Sequence, residues 1–127
     1  MIAKLSIKVP ARPQLPSERE IQASVLAHWR VFGLPDTLVA AIPNQFAAGQ
    51  YGLTKGLFDL IVFAPGLPVG FLELKSDRGR ASPEQDRHRA LLDKLRIKNE
   101  ITFGRDAPIR VLEQWGVVRR TAGGNAA

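Results

Sequence analysis

Hydrophobic and polar positions divide the chain into segments of different period. Residues 4–9 alternate, with Leu5, Ile7 and Val9 against Lys4, Ser6 and Lys8, a pattern that suits an edge strand, an arm onto a partner, or a loose tail. The proline-containing stretch "ARPQLP" reads as a linker, so residues 1–16 form an arm and linker. Ile21, Val25, Trp29 and Phe32 then recur at helical spacing. Ser17 stands at the N-cap, Glu18 and Glu20 lie in the first turn where the macrodipole favours anions, and Gly33 marks the stop, which predicts a helix with one buried stripe. "TLVAAIPN" is a short apolar run ended by Pro43, read as a strand, and "QFAAGQYGLTKG" a Gly-rich surface loop. Two β-rich runs, "FDLIVFA" and "VGFLELK", flank the turn signature "PGLP" and predict a hairpin.

A second helix is expected in "SPEQDRHRALLDKLR", with Ser82 at the N-cap and Pro83 at N1; its charges outnumber Leu91, Leu92 and Leu95, so it should be partly exposed. "EITFG" reads as a last short strand and "DAPIRVLEQWG" as a last helix burying Ile109, Leu112 and Trp115. The tail 121–127, "TAGGNAA", is expected to be disordered. The predicted order is helix, three strands, helix, strand, helix: an α/β domain over residues 17–120, with a single mixed β-sheet flanked by helices.

Composition narrows the chemistry. At 127 residues the chain has the size of one domain with one core. It has no cysteine, which excludes disulfides, thiol catalysis and thiolate metal sites, and its 2 histidines could not complete a zinc site without carboxylates. An oxygen-ligated metal remains open. No apolar run approaches the ~18 residues needed to cross a bilayer, and the N-terminus lacks the h-region and cleavage site of a signal peptide, so a cytoplasmic location is expected. Lys and Arg outnumber Asp and Glu by 18 to 12, giving a net charge of +6 that would attract a polyanion.

The unusual feature is that the predicted hairpin carries Asp59, Glu73 and Lys75 among apolar residues. Alternation along a strand puts Glu73 and Lys75 on one face with Phe71, and Leu72 and Leu74 on the other. A short connection brings Asp59, at the mouth of the preceding strand, beside the far end of "FLELK". Two carboxylates placed together are costly without positive charge between them, and a hard, oxygen-seeking divalent ion such as Mg²⁺ answers that need. Such an ion, with a lysine alongside, activates water toward a phosphodiester. The competing explanation is a solvent-exposed Glu73–Lys75 salt bridge with Asp59 capping the turn, worth ~0–1 kcal/mol. Spacing alone does not decide between them.

The order "KGLFDLIVF … FLELKSDRGRASPEQ" resembles the PD-(D/E)xK nuclease superfamily and, within it, the VRR-NUC family, small domains found alone in phages and bacteria or at the end of larger repair nucleases. Gly56, Leu57, Phe58 and Asp59 match its Gly-x-Pro-Asp turn, with Phe58 where proline is usual. Glu73, Leu74 and Lys75 match its Glu-x-Lys, "GRASPEQ" its Gly-x-x-Ser-x-x-Gln, Glu18 and Gln22 its first-helix acidic residue and glutamine, and Ile42 to Asn44 the exit of its first core strand. The resemblance implies a restriction-endonuclease-like αβββαβ core. It also implies Asp59, Glu73 and the Leu74 carbonyl as ligands of Mg²⁺ or Mn²⁺, Lys75 orienting the water, and Glu18 holding a water of the ion. Gln85 is either a further active-site residue or, through the Ser-x-x-Gln capping box, only a helix cap.

Lys55 and the cluster Arg78, Arg80, Arg87 and Arg89 at the second helix start are candidates for contact with the DNA backbone, the alternative being solvated surface. His28 is expected to pack on its helix, His88 to lie on the surface, and Trp29 and Trp115 to belong to the core. The resulting expectation is a metal-dependent DNA endonuclease, a homodimer acting on branched DNA such as Holliday junctions. The alternatives are a non-catalytic nucleic-acid-binding module of the same fold and a restriction-type nuclease with sequence preference.

Overall fold

The computed structural model describes residues 15–43 and 56–121. The N-terminal arm, Asn44, the Gly-rich loop with Gln50, Tyr51 and Lys55, and the tail beyond Thr121 lie outside the described residues. Three helices and four strands follow in the order α1 (Glu18–Phe32), β1 (Leu38–Ala41), β2 (Leu60–Ala64), β3 (Leu67–Lys75), α2 (Pro83–Lys94), β4 (Lys98–Phe103) and α3 (Asp106–Gln114). The sheet order is β1-β2-β3-β4. The first two pairings are antiparallel, and β3 pairs parallel with β4 through α2, the crossover that parallel strands require.

The helix starts form as their sequences dictate. Ser17 caps α1 by accepting from the Glu20 amide at 3.2 Å. Ile21 and Val25 supply its fully buried stripe and meet Leu72 and Leu74 of β3 in the main core, together with Val39, Leu60, Val62, Leu67, Leu112, Val117 and Val118. Trp29 and Phe32 pack at the margin of that core, and the Trp29 indole donates to Thr37 Oγ1 at 3.0 Å. Trp115, past the end of α3, stands so close to Gly70 of β3 that a Cβ there would strike its ring. Both tryptophans are therefore packing residues.

Several boundaries differ from the sequence-based expectation: β2 starts at Leu60, two residues into "FDLIVFA". The hairpin turn is Pro65–Gly66 alone, with Gly66 at φ 77, and β3 starts at Leu67 because that side chain is buried in the core; Pro68 stands within the strand and exposed. Likewise β4 begins at Lys98, two residues before the predicted "EITFG", since Gly70 and Phe71 of the long β3 offer partners to Lys98 and Asn99. Among the described residues no helix is long and apolar enough to cross a membrane.

Candidate active site

The last four residues of β3 are buried on both faces of the sheet. Leu72 and Leu74 face α1 in the core. Glu73 and Lys75 point the opposite way, yet Glu73 is only 2% exposed and Lys75 8%. A solvated surface pair is thereby ruled out, because a charged residue this buried must be paired and hydrogen-bonded. β2 delivers Asp59 to the same place. The Asp59 carbonyl accepts from the Ile42 amide at 2.8 Å, tying the turn to the end of β1. The Asp59 amide donates to Glu73 Oε1 at 3.2 Å, and Asp59 Oδ2 accepts from the Leu74 amide at 2.8 Å. These reciprocal bonds lock the two carboxylates against each other across the strand ends.

The positive partner is Lys75, whose Nζ lies 3.1 Å from Glu73 Oε2 and 3.8 Å from Glu18 Oε1 at the start of α1. Gln85 completes the group in two ways. Its Oε1 accepts from the Ser82 amide at 2.9 Å while Ser82 Oγ accepts from the Gln85 amide at 3.1 Å, a full capping box. Its Nε2 simultaneously donates to Glu73 Oε2. The cap and the site contact are thus one side chain, oriented by the first and spent on the second.

Phe58 and Gly56 explain how the turn holds Asp59 without the usual proline. Phe58 has no exposed surface and is the largest fully buried side chain among the described residues, set apart from the main core cluster. Gly56 adopts φ 81, and a Cβ there would overlap Glu84 at the start of α2, so glycine alone allows the turn to sit this close. His88 Nδ1–H donates to the Gly56 carbonyl at 2.7 Å. His88 was expected on the surface; it is half-buried because α2 presents it, one turn after Gln85, to the same turn. Sequence reasoning missed this positioning role, and the only signal was the Gln85–His88 spacing.

The basic candidates divide. Arg78 and Arg80 are exposed in the loop between β3 and α2. Arg87 lies 3.9 Å from the half-buried Glu84 and Arg89 3.6 Å from Glu100, solvent-accessible pairs worth ~0–1 kcal/mol. His28 packs on Phe32 as expected, with ring centroids 4.6 Å apart.

Burial raises the Glu73 carboxyl most, the negative charge of Asp59 raises it further, and Lys75 opposes both; the result is a carboxyl pushed up from 4.5 to about 8. Between these values the folded chain holds a proton that the unfolded chain has lost, so without divalent ions stability falls as pH rises through the window 4.5 to about 8. In chelator, urea unfolding is expected to show wild type losing on the order of 2 kcal/mol more than Glu73→Gln between mildly acidic and mildly alkaline pH. Parallel pH profiles for the two proteins would contradict this assignment of the proton.

The donor set also bears on metal binding. Among the described residues no three His, Cys, Asp or Glu side chains converge on one point. Asp59 and Glu73 therefore fit an ion that takes one or two carboxylates and keeps several waters, as Mg²⁺ does, rather than one that demands a full protein cage.

The fold is a mixed α/β domain, a four-stranded sheet with three flanking helices among the described residues. Among solved structures the chain is similar to one described as a VRR_NUC domain, with a TM-score of 0.55 and 18% identity over 78% of this chain and 97% of that one. The chain has a VRR-NUC-like fold. No protein-family model matches the sequence, and no curated protein matches it significantly.

Proposed function

We propose that the chain is a metal-dependent DNA endonuclease that hydrolyses phosphodiester bonds. The observation that carries this is the convergence of Asp59, Glu73 and Lys75 from two adjacent strands into one hydrogen-bonded group, with Glu73 2% exposed and its carboxyl pushed up to about 8. A structural salt bridge does not require a second carboxylate against the first. Asp59 and Glu73, with the Leu74 carbonyl, would hold a Mg²⁺ or Mn²⁺ ion, which when bound supplies Lewis acidity toward a phosphoryl oxygen.

The chain's own residues do the rest. Lys75, held between Glu73 and Glu18, orients the attacking water and sets a fixed positive charge against the negative charge growing on the phosphate. Gln85 fixes the Glu73 carboxylate so that its orientation is set before substrate arrives. Exposed Arg78 and Arg80, and Arg87 and Arg89 once released from their carboxylates, contribute sequence-independent affinity for the DNA backbone within a net charge of +6.

One chain carries one such site, and cutting both strands of a branch point needs two, so the active form is a homodimer. Branched DNA as the preferred substrate rests on the resemblance of the sequence motifs to the VRR-NUC family. Incubated with a four-way junction, linear duplex and supercoiled plasmid in Mg²⁺ or Mn²⁺, the protein is expected to cut the junction fastest. Equal rates on all three would remove the structure preference, and gel retardation of every substrate without cutting would favour a non-catalytic binding module.

A further inference from the structure

A groove with a volume of about 670 Å³ lies between α1 and α3. Arg105, Arg110 and Arg120 line it together with His28, Asp106 and Glu113. The three arginines are exposed. Glu113 is engaged, accepting from the Thr121 amide at 3.0 Å. His28 Nε2 is buried and, among the described residues, has no hydrogen-bond partner.

The groove begins beside the candidate active site. Phe103 at the end of β4 pairs with Lys75, and the next amide, Gly104, donates to the Lys75 carbonyl at 2.9 Å. Arg105 follows directly and lines the groove. The arginines come from before α3, within it and after it. Asp106 and Glu113 stand among them. A compact anion would meet a carboxylate in such a groove, whereas a phosphodiester chain carries one charge per nucleotide and can set each against an arginine.

We propose that the α1/α3 groove binds the sugar-phosphate backbone of a nucleic-acid arm leaving the Asp59–Glu73–Lys75 site, with exposed Arg105, Arg110 and Arg120 contacting phosphates and His28 reporting on occupancy from the groove wall. This deepens the nuclease assignment and rests on it. Arg78 and Arg80 would guide the strand on one side of the site, and the groove would guide the arm on the other.

The test is binding in chelator, where cutting plays no part. The affinity of a short duplex is measured by fluorescence anisotropy between about 50 and 200 mM salt for wild type and for the Arg105→Ala/Arg110→Ala/Arg120→Ala protein. Loss of three phosphate contacts should lower the slope of log affinity against log salt by about 2 to 3. A control with Arg30→Ala/Lys94→Ala/Lys98→Ala removes the same charge outside the groove and should keep the wild-type slope. An unchanged slope in the groove protein, or an equal loss in the control, overturns the proposal.

Should the groove variant not fold, NMR of the His28 ring in wild type decides. Its Nε2 signal should shift with duplex at micromolar concentration, and with inorganic phosphate or a mononucleotide only at far higher concentration. No shift with duplex, or saturation by the small phosphates at the same concentration, also overturns it. The two assignments fail separately. Binding through the groove without cutting in Mg²⁺ or Mn²⁺ would sink the nuclease, and cutting with an unaltered salt slope would sink the groove alone.

Discussion

Lys75→Ala is expected to cut plasmid about 10³-fold more slowly than wild type while retaining its secondary structure. Lys75 Nζ sits 3.1 Å from Glu73 Oε2 and 3.8 Å from Glu18 Oε1, so its charge is fixed before any phosphate arrives. A charge held in advance needs no reorganisation as the reaction proceeds, which is why one such donor is worth about 3–4 kcal/mol of the barrier. Lys75→Ala also leaves the buried Glu73 carboxylate without its counter-charge, so the Glu73 proton should be held to still higher pH. Lys75→Arg keeps the charge but not the compact ammonium, and should recover only part of the rate. A Lys75→Ala protein that cuts at the wild-type rate would reduce this lysine to a structural ion pair.

Phe58→Ala is expected to destabilise the protein by about 3–5 kcal/mol, the usual cost of emptying a fully buried phenylalanine site. Phe58 has 0% exposure and immediately precedes Asp59, so the cavity would open beneath the turn that delivers the first carboxylate. Phe58→Leu restores most of the volume and should cost less than about 1.5 kcal/mol. Urea denaturation measures both. A loss below about 1 kcal/mol for alanine would show that the turn is held by Gly56, His88 and the Ile42 amide without help from the ring.

The element order could be read from the sequence because local signals agreed with the tertiary outcome. Ser17 and Ser82 cap their helices, and apolar residues fall at helical or strand period where the core needs them. The turn at Pro65–Gly66 was read too wide because two prolines flank Leu67; only burial of that leucine shows that the strand has already begun. At the site, the charges of Asp59, Glu73 and Lys75 stood out against an apolar hairpin, but nothing local separated a surface pair from a buried cluster. Packing decides that, because α1 covers Leu72 and Leu74 from one side while Gln85 reaches Glu73 from the other.

Gln85 could be read only as a cap or a site residue, since the capping box is local and the bond to Glu73 spans 12 positions of sequence. For His88 the only signal was its spacing from Gln85, since its partner is a backbone carbonyl 32 positions away. The ion pairs of Arg87 and Arg89 could not be assigned either, because the residues around the helix start offer several carboxylates at similar spacing.

The central claim is that Asp59 and Glu73 form a divalent-ion site that cleaves phosphodiesters. Its most direct test is supercoiled plasmid incubated with wild type and Asp59→Asn, each with Mg²⁺, with Mn²⁺ and with chelator. Nicked and linear products should form only with wild type and only with a divalent ion. Cutting that persists in Asp59→Asn or in chelator, or no cutting by wild type with either ion, would contradict it.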